Sequence, residues 1–169
     1  MLDEIKRIKK LPIKKTKLIF KLDKLAPGNP HEFIDNIPNI VLLIELANKK
    51  VLGAFTQTSF SKEDGNHHQS TSSIARSRVG TNKSLILDLT KKVAFLNNNP
   101  NETIIYDENA IVWGRDELII KNDEPTLLYS SFGSQEAVYS DGKYTVDDLL
   151  GGNQGFERIS QYEFYRIYI

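Results

Sequence analysis

Two neighbouring apolar runs constrain this chain more than any other feature of its sequence. Asn39–Leu46 reads NIVLLIEL, and Val51–Phe55 reads VLGAF after a short polar connection. The first run has no polar face until Glu45, which is typical of a strand covered on both sides. The polar residues Asn48–Lys50 supply the turn between the two runs. The pattern therefore predicts a hairpin of two β-strands.

Short apolar segments then recur along the chain, separated by turn residues. The predicted strands are Lys17–Leu22 before the hairpin, and Ser84–Leu89, Val93–Leu96, Thr103–Tyr106, Ala110–Trp113, Leu118–Lys121, Thr126–Ser130, Glu136–Tyr139 and the aromatic run Phe156–Ile169 after it. Strands this frequent, with little helix between them, are typical of packed antiparallel sheets. We therefore predict an α+β fold, with two packed antiparallel β-sheets in a β-sandwich and a few short peripheral helices.

Two other segments complete the expected architecture. A short helix is predicted at His31–Ile37, after the turn residues Ala26–Pro30. Ser61–Lys83 has only two aliphatic residues and is predicted to be a long polar loop. The expected core consists of the apolar residues Phe20, Ile40, Leu42, Ile44, Leu52, Phe55, Leu85, Leu87, Phe95, Ile105, Trp113, Ile119, Phe156, Phe164 and Ile167.

Length and composition exclude several classes of protein. At 169 residues the chain is most simply one domain with a sizeable core. It has no cysteine, which excludes disulfides, thiol nucleophiles and cysteine-ligated zinc. No apolar run approaches the length needed to span a membrane, and the N-terminus lacks a signal-peptide pattern. We expect a cytoplasmic protein that reaches a membrane or the cytoskeleton only through a partner.

Charge is distributed unevenly along the chain, although the formal net charge is zero. Residues 1–24 contain nine Lys and Arg residues against three acidic residues, which makes this segment +6 and the remainder −6. We divide the chain into a basic N-terminal helix or arm, residues 1–16, and a domain, residues 17–169. A basic segment on an acidic body suggests attraction to an acidic surface, whereas the simpler alternative is a solvated helix face.

The N-terminal segment also carries a narrow apolar stripe. Leu2, Ile5 and Ile8 follow helical spacing, and Pro12 ends the helix. Such a stripe lies either on the domain itself or on a partner. In the partner-binding hypothesis, the stripe makes the desolvated contacts and the lysines steer association. The predicted partner-binding residues are Leu2, Ile5, Lys6, Ile8, Lys9, Lys10, Lys14 and Lys15.

Candidate catalytic chemistry is sparse in this sequence. His67 and His68 lie in the polar loop, and most acidic pairs fall at turns, so we predict no metal site, cofactor or catalytic residue. Glu45 and Glu163 differ because each lies within an apolar strand, where a carboxylate is costly unless paired. A structural ion pair with Arg158 or Arg166 is the favoured interpretation. A tuned acid, supporting a weak hydrolase or redox-protective activity, is the alternative.

The order of several short segments resembles the TLDc domain of oxidation-resistance proteins. The similar segments are Leu18–Phe20, Pro30–Phe33, Val41–Leu46 with Val51–Phe55, Ser84–Leu89 with Ala94–Leu96, and Glu163–Tyr165. The resemblance covers about Lys17 to Ile169. It implies a noncatalytic protein-interaction module that is an accessory or regulatory subunit.

The resemblance implies oxidative-stress protection as the role and the vacuolar proton-pumping ATPase as the partner. An alternative is a structural accessory subunit of a large cytoskeletal or membrane-associated assembly. Sequence-specific nucleic-acid binding is not expected, because the basic segment has no interleaved aromatic residue before Phe20 and the rest of the chain is acidic.

Overall fold

The described part of the chain is organised almost entirely as antiparallel β-structure. The computed structural model describes residues 3, 5, 10–22, 28–61, 77–79, 84–97, 104–107, 109–113, 118–122, 126–129, 139–140 and 155–169. Its elements are β1 (Lys15–Leu22), α1 (His31–Ile34), β2 (Ile40–Leu46), β3 (Val51–Thr56), β4 (Ser77–Val79), β5 (Leu85–Asp88), β6 (Val93–Asn97), β7 (Ile104–Asp107), β8 (Ala110–Trp113), β9 (Leu118–Lys121), β10 (Thr126–Tyr129), β11 (Tyr139–Ser140) and β12 (Gly155–Tyr168).

The first sheet contains the predicted hairpin and the closing aromatic strand. Its order is β11-β6-β5-β3-β2-β12, and β1 pairs with the other side of β12. The polar connection forms a tight turn, in which Lys49 has a φ of 69° and the Lys49 amide donates to the Leu46 carbonyl. The turn sets Leu43 opposite Gly53, which fixes the hairpin register.

The second sheet has the order β4-β7-β8-β9-β10, and β10 pairs with the beginning of β12. β12 therefore belongs to both sheets. Its residues up to Arg158 pair with β10, and its residues from Ile159 onward pair with β2. Ser160 is an extra residue at this change of partner, because Ile159 lies opposite Leu46 while Gln161 lies opposite Glu45. A bulge of this kind bends a strand and lets it pass from one sheet to another.

The principal core combines residues from both sheets. Ile40, Leu42 and Ile44 of β2 join Tyr162 and Phe164 of β12 in one buried cluster with Ile111, Trp113, Leu118 and Ile120 of the second sheet. A second cluster, the outer apolar cluster, lies on the opposite face of the first sheet and contains Ile5, Val41, Phe55, Leu85, Leu87 and Ile167. The first sheet is thus covered on both faces over part of its area, which explains the continuous apolar run of β2.

The predicted coarse fold, β-rich with two antiparallel sheets and little helix, is confirmed. The predicted core is also largely correct, but the inward face of β9 was predicted wrongly. Leu118 and Ile120 are buried in the principal core, whereas Ile119 is only partly buried on the other face of its sheet. Three consecutive apolar residues give no alternation from which to choose a face. The side chains of Ile105 and Phe156 lie outside the described residues.

Two predicted segments differ from the structure in their extent. The helix ends at Ile34 rather than Ile37, because Asp35 has extended backbone angles and pairs with Phe60 in an isolated bridge. The segment predicted to be one long polar loop contains strand β4, which pairs with β7. Val79 is the one apolar residue of β4, which is too little alternation to predict a strand, and the pairing partner β7 is distant along the chain.

Candidate functional site

A bulge in β1 places the polar residues of the candidate site. Leu18 lies opposite Tyr165, but Phe20 lies opposite Phe164, so Ile19 is an extra residue in β1. The shift turns Phe20 into the principal core and sets Lys21 directly opposite Glu163 on the outer face of the first sheet. Without the extra residue, alternation would direct Phe20 outward and Lys21 into the core.

Glu163 is the centre of a polar cluster on this outer face. Its Oε1 lies 2.8 Å from Lys21 Nζ and accepts a hydrogen bond of 2.8 Å from Gln161 Nε2. Its Oε2 accepts a hydrogen bond from the hydroxyl of Tyr165. The Glu163 side chain is only 11% exposed. We call Lys21, Gln161, Glu163 and Tyr165 the outer polar cluster.

The protonation equilibria of the outer polar cluster follow from these contacts. Burial alone would raise the pKa of Glu163, but hydrogen bonds from Lys21 and Tyr165 and the charge of Lys21 together hold this pKa below its ordinary value. The hydrogen bond to Glu163, with burial, raises the pKa of Tyr165 to about 12. Glu163 is therefore an ionised acceptor, and Tyr165 is a neutral donor, at neutral pH.

This arrangement fits a structural ion pair better than a general acid. A general acid must retain its proton near the working pH, and that requires a raised pKa. The pKa of Glu163 moves in the opposite direction. The expected ion pair exists, but with Lys21 rather than with Arg158 or Arg166. The pairing was not evident from sequence because it depends on the bulge at Ile19.

Glu45, the other strand carboxylate, lies in a different environment. Its Oε1 is 3.2 Å from Lys49 Nζ across the β2–β3 turn, and its side chain is 39% exposed. An exposed pair of this kind contributes little to stability. Glu45 also lies opposite Gln161, next to the outer polar cluster. It contacts neither Arg158 nor Arg166 in the described ion pairs.

Basic residues line the beginning of β1. Lys14, Lys15 and Lys17 are all exposed. Lys17 lies directly opposite Arg166, whose guanidinium lies 5.0 Å from the centre of the Tyr168 ring. Within the described part of the chain, no ion pair joins any of these four cations to a carboxylate. We call Lys14, Lys15, Lys17 and Arg166 the basic edge.

Ile5 is the one residue of the predicted N-terminal stripe that the structure describes, and it lies on the domain. Ile5 is completely buried in the outer apolar cluster, against which Leu11 and Ile13 also pack. The Ile5 side chain is therefore covered by this chain's own residues. The predicted partner-binding residues Leu2, Lys6, Ile8 and Lys9 lie outside the described residues. Lys10, Lys14 and Lys15 are exposed.

His31 forms a second polar contact that sequence reasoning missed. Its Nδ1 lies 2.6 Å from Asp35 Oδ1, and its Nε2 lies 3.1 Å from the carbonyl oxygen of Ala110. The ring is buried and meets Phe60 edge-on. His31 thereby links α1 to β8 of the second sheet. The spacing of His31 and Asp35, four residues apart, was the available sequence signal.

The fold and this site define a mostly β, two-sheet protein with a basic sheet edge beside a satisfied polar cluster. Among the described residues there is no group of His, Asp and Glu side chains arranged to hold a metal ion. No helix in the described ranges is long and apolar enough to cross a membrane. Neither the known family models nor the curated proteins contain a match to this chain.

Proposed function

We propose that this chain is a noncatalytic protein-interaction module whose partner presents an acidic surface. The observation that carries this proposal is the basic edge, where Lys14, Lys15 and Lys17 are exposed beside the half-buried Arg166, and no described ion pair joins these cations to a carboxylate. Lys17 and Arg166 are like charges directly opposite each other on adjacent strands, an arrangement that costs stability in an isolated sheet. An acidic partner would relieve this repulsion.

The proposal separates two roles within residues 1–24. Ile5 anchors the segment to the domain, since it is buried in the outer apolar cluster. Lys14, Lys15 and Lys17 then provide a positive surface on the domain itself. Charges in such a position mainly raise the association rate and make it sensitive to salt.

The identity of the partner rests on the resemblance to TLDc domains. By that resemblance, we propose a regulatory or accessory subunit associated with the vacuolar proton-pumping ATPase and with oxidative-stress protection. A fixed accessory subunit of a cytoskeletal or membrane-associated assembly fits the same basic edge. Both proposals place the protein in the cytoplasm and give it a protein partner.

The test begins with the partner recovered by co-purification from native cells and then compares two variants in a binding assay. In the first variant, Lys6, Lys9, Lys10, Lys14 and Lys15 are replaced by glutamine. The matched control replaces an equal number of lysines elsewhere, namely Lys49, Lys50, Lys91, Lys92 and Lys121.

We expect the N-terminal variant to bind about tenfold more weakly at low salt, with a smaller loss at high salt. Its melting temperature should change little, since exposed charges contribute little to folding. The control variant should bind with nearly unchanged affinity. Unaltered affinity and salt dependence of the N-terminal variant would contradict the proposal and move the partner surface elsewhere on the protein.

A further inference from the structure

The structure also suggests how an acidic partner would bind, an inference that rests on the function proposed above. We propose that an extended acidic segment of the partner adds a strand to the edge of β1 that faces away from β12. Its acidic side chains would alternate with apolar ones. Lys15 and Lys17 would meet the acidic side chains, and Leu18 would meet an apolar one.

The backbone of β1 provides the template for this addition. β1 is eight residues long and pairs with β12 on one side. No other described strand pairs with β1. The outer side of an edge strand presents alternate N–H and C=O groups that an extended peptide can pair with. Main-chain hydrogen bonds of this kind provide the affinity in strand addition, and alternate side chains provide the specificity.

The register of β1 specifies the side chains that the added strand needs. From Lys15 to Leu18 the pairing with β12 is regular, so Lys15 and Lys17 share one face while Thr16 and Leu18 share the other. Arg166 lies opposite Lys17 on the basic face, and Tyr165 lies opposite Leu18 on the other. Leu18 is 45% exposed, although it is a large apolar residue within a strand. An acidic–apolar alternation matches both faces at once.

The same charges disfavour a second copy of this chain at the edge. Pairing of β1 with β1 of another molecule would bring lysines of the two copies close together, and like charges on neighbouring strands repel. Lysines on edge strands are a common protection against such self-pairing. The basic edge therefore selects an acidic strand over a neutral or basic one.

The probe is a terminally blocked peptide of alternating glutamate and valine, matched in length to β1. Two control peptides separate charge from strand pairing. One alternates lysine and valine, and the other is the glutamate–valine peptide N-methylated at every residue, which keeps the charges and removes all backbone donors. Binding is measured by fluorescence anisotropy, and amide hydrogen exchange of β1 is measured by NMR with and without the peptide.

We expect the glutamate–valine peptide to slow hydrogen exchange at alternate amides between Lys15 and Leu18. Both control peptides should bind at least about tenfold more weakly. The variant Lys15→Glu with Lys17→Glu should lose about tenfold or more in affinity for the probe. The matched variant Lys92→Glu with Lys121→Glu has the same change in net charge and should bind within about twofold of the unaltered protein.

The outcomes distinguish failure of this inference from failure of the proposed function. Equal binding of the N-methylated peptide, or binding without protection of β1 amides, overturns strand addition and leaves electrostatic docking in place. Strand addition is also overturned, and electrostatic docking is left in place, if the probe does not bind while the five N-terminal glutamine substitutions still weaken binding of the native partner. Dimerisation in sedimentation experiments that is abolished by Lys15→Glu with Lys17→Glu would overturn the acidic occupant in favour of a second copy. Both proposals are overturned if native partner binding is unaffected by the five N-terminal glutamine substitutions and also by Lys15→Glu with Lys17→Glu.

Discussion

The two faces of β12 have opposite chemistry within one strand. Tyr162 and Phe164 point between the sheets, where both are buried and their rings meet at a centroid distance of 6.0 Å. Gln161, Glu163 and Tyr165 point to the outer face and form a connected set of hydrogen bonds with Lys21. Between Gln161 and Tyr165 the inner face is stabilised by apolar area removed from water and the outer face by directed charge-assisted contacts, whereas Ile167, further along the outer face, belongs to the second apolar cluster.

This difference explains how the first sheet supports both a core and the exposed lysines of the basic edge. The free energy gained by burying apolar groups is roughly proportional to the buried area and insensitive to pH. The inner face, where this burial occurs, holds the two sheets together. The outer polar cluster fixes the position of β1 against β12 while leaving Lys14, Lys15 and Lys17 exposed. The two faces should therefore respond differently to truncation and to pH.

The largest effect should come from truncating the inner face. Phe164→Ala removes a ring that is fully buried in the principal core, and we expect a loss of about 3–5 kcal/mol in the free energy of unfolding. The measurement is urea unfolding followed by circular dichroism. Phe33→Ala is the matched control, because Phe33 is 46% exposed, and should cost about 1 kcal/mol or less. Equal losses from the two variants would contradict the assignment of the core.

A somewhat smaller effect should come from the outer apolar cluster. Ile5→Ala should reduce the free energy of unfolding by about 2–4 kcal/mol, because Ile5 is fully buried against the first sheet. Leu18→Ala, at an exposed apolar residue, should cost about 1 kcal/mol or less in the same urea experiment. No measurable loss from Ile5→Ala would mean that the N-terminal segment is a solvated helix rather than part of the domain.

The smallest effect should come from the outer polar cluster, and it should depend on pH. Glu163→Gln should cost about 1–2 kcal/mol at pH 7, since charged hydrogen bonds are lost but Lys21 is partly exposed. The lowered pKa of Glu163 means that its contribution is full above the ordinary value of 4.5 and is lost as the pH falls through the folded pKa. Urea unfolding at several pH values should therefore show the two proteins converging in acid.

The controls for this prediction use Glu45 and the tyrosines. Glu45→Gln should change stability by about 0.5 kcal/mol or less, because its ion pair is exposed. In Glu163→Gln, the pKa of Tyr165 should fall from about 12 toward 10.0, whereas Tyr162, raised to about 12 by burial, should not move. Ultraviolet titration, with Tyr165→Phe to assign the signal, checks this. A Tyr165 midpoint that stays near 12 would contradict the hydrogen bond to Glu163.

The sequence by itself determined where most described strands lie. The apolar runs of β2 and β3, with the turn at Asn48–Lys50 between them, predict the hairpin because turn residues and β-branched side chains are local properties. The predicted ends of β8 and β9 agree with the structure, since turn residues bound both strands. The concentration of positive charge near the N-terminus was likewise evident before any fold was known.

Only the tertiary structure decided which residues share a face. The extra residues Ile19 and Ser160 reverse the alternation of β1 and β12, and neither has a local signal. These bulges bring Lys21 to Glu163 and direct Phe20 inward. Because strand periodicity is two, one inserted residue exchanges core and surface for every residue that follows. Contacts between residues far apart in sequence, rather than local propensity, determine whether that insertion is stable.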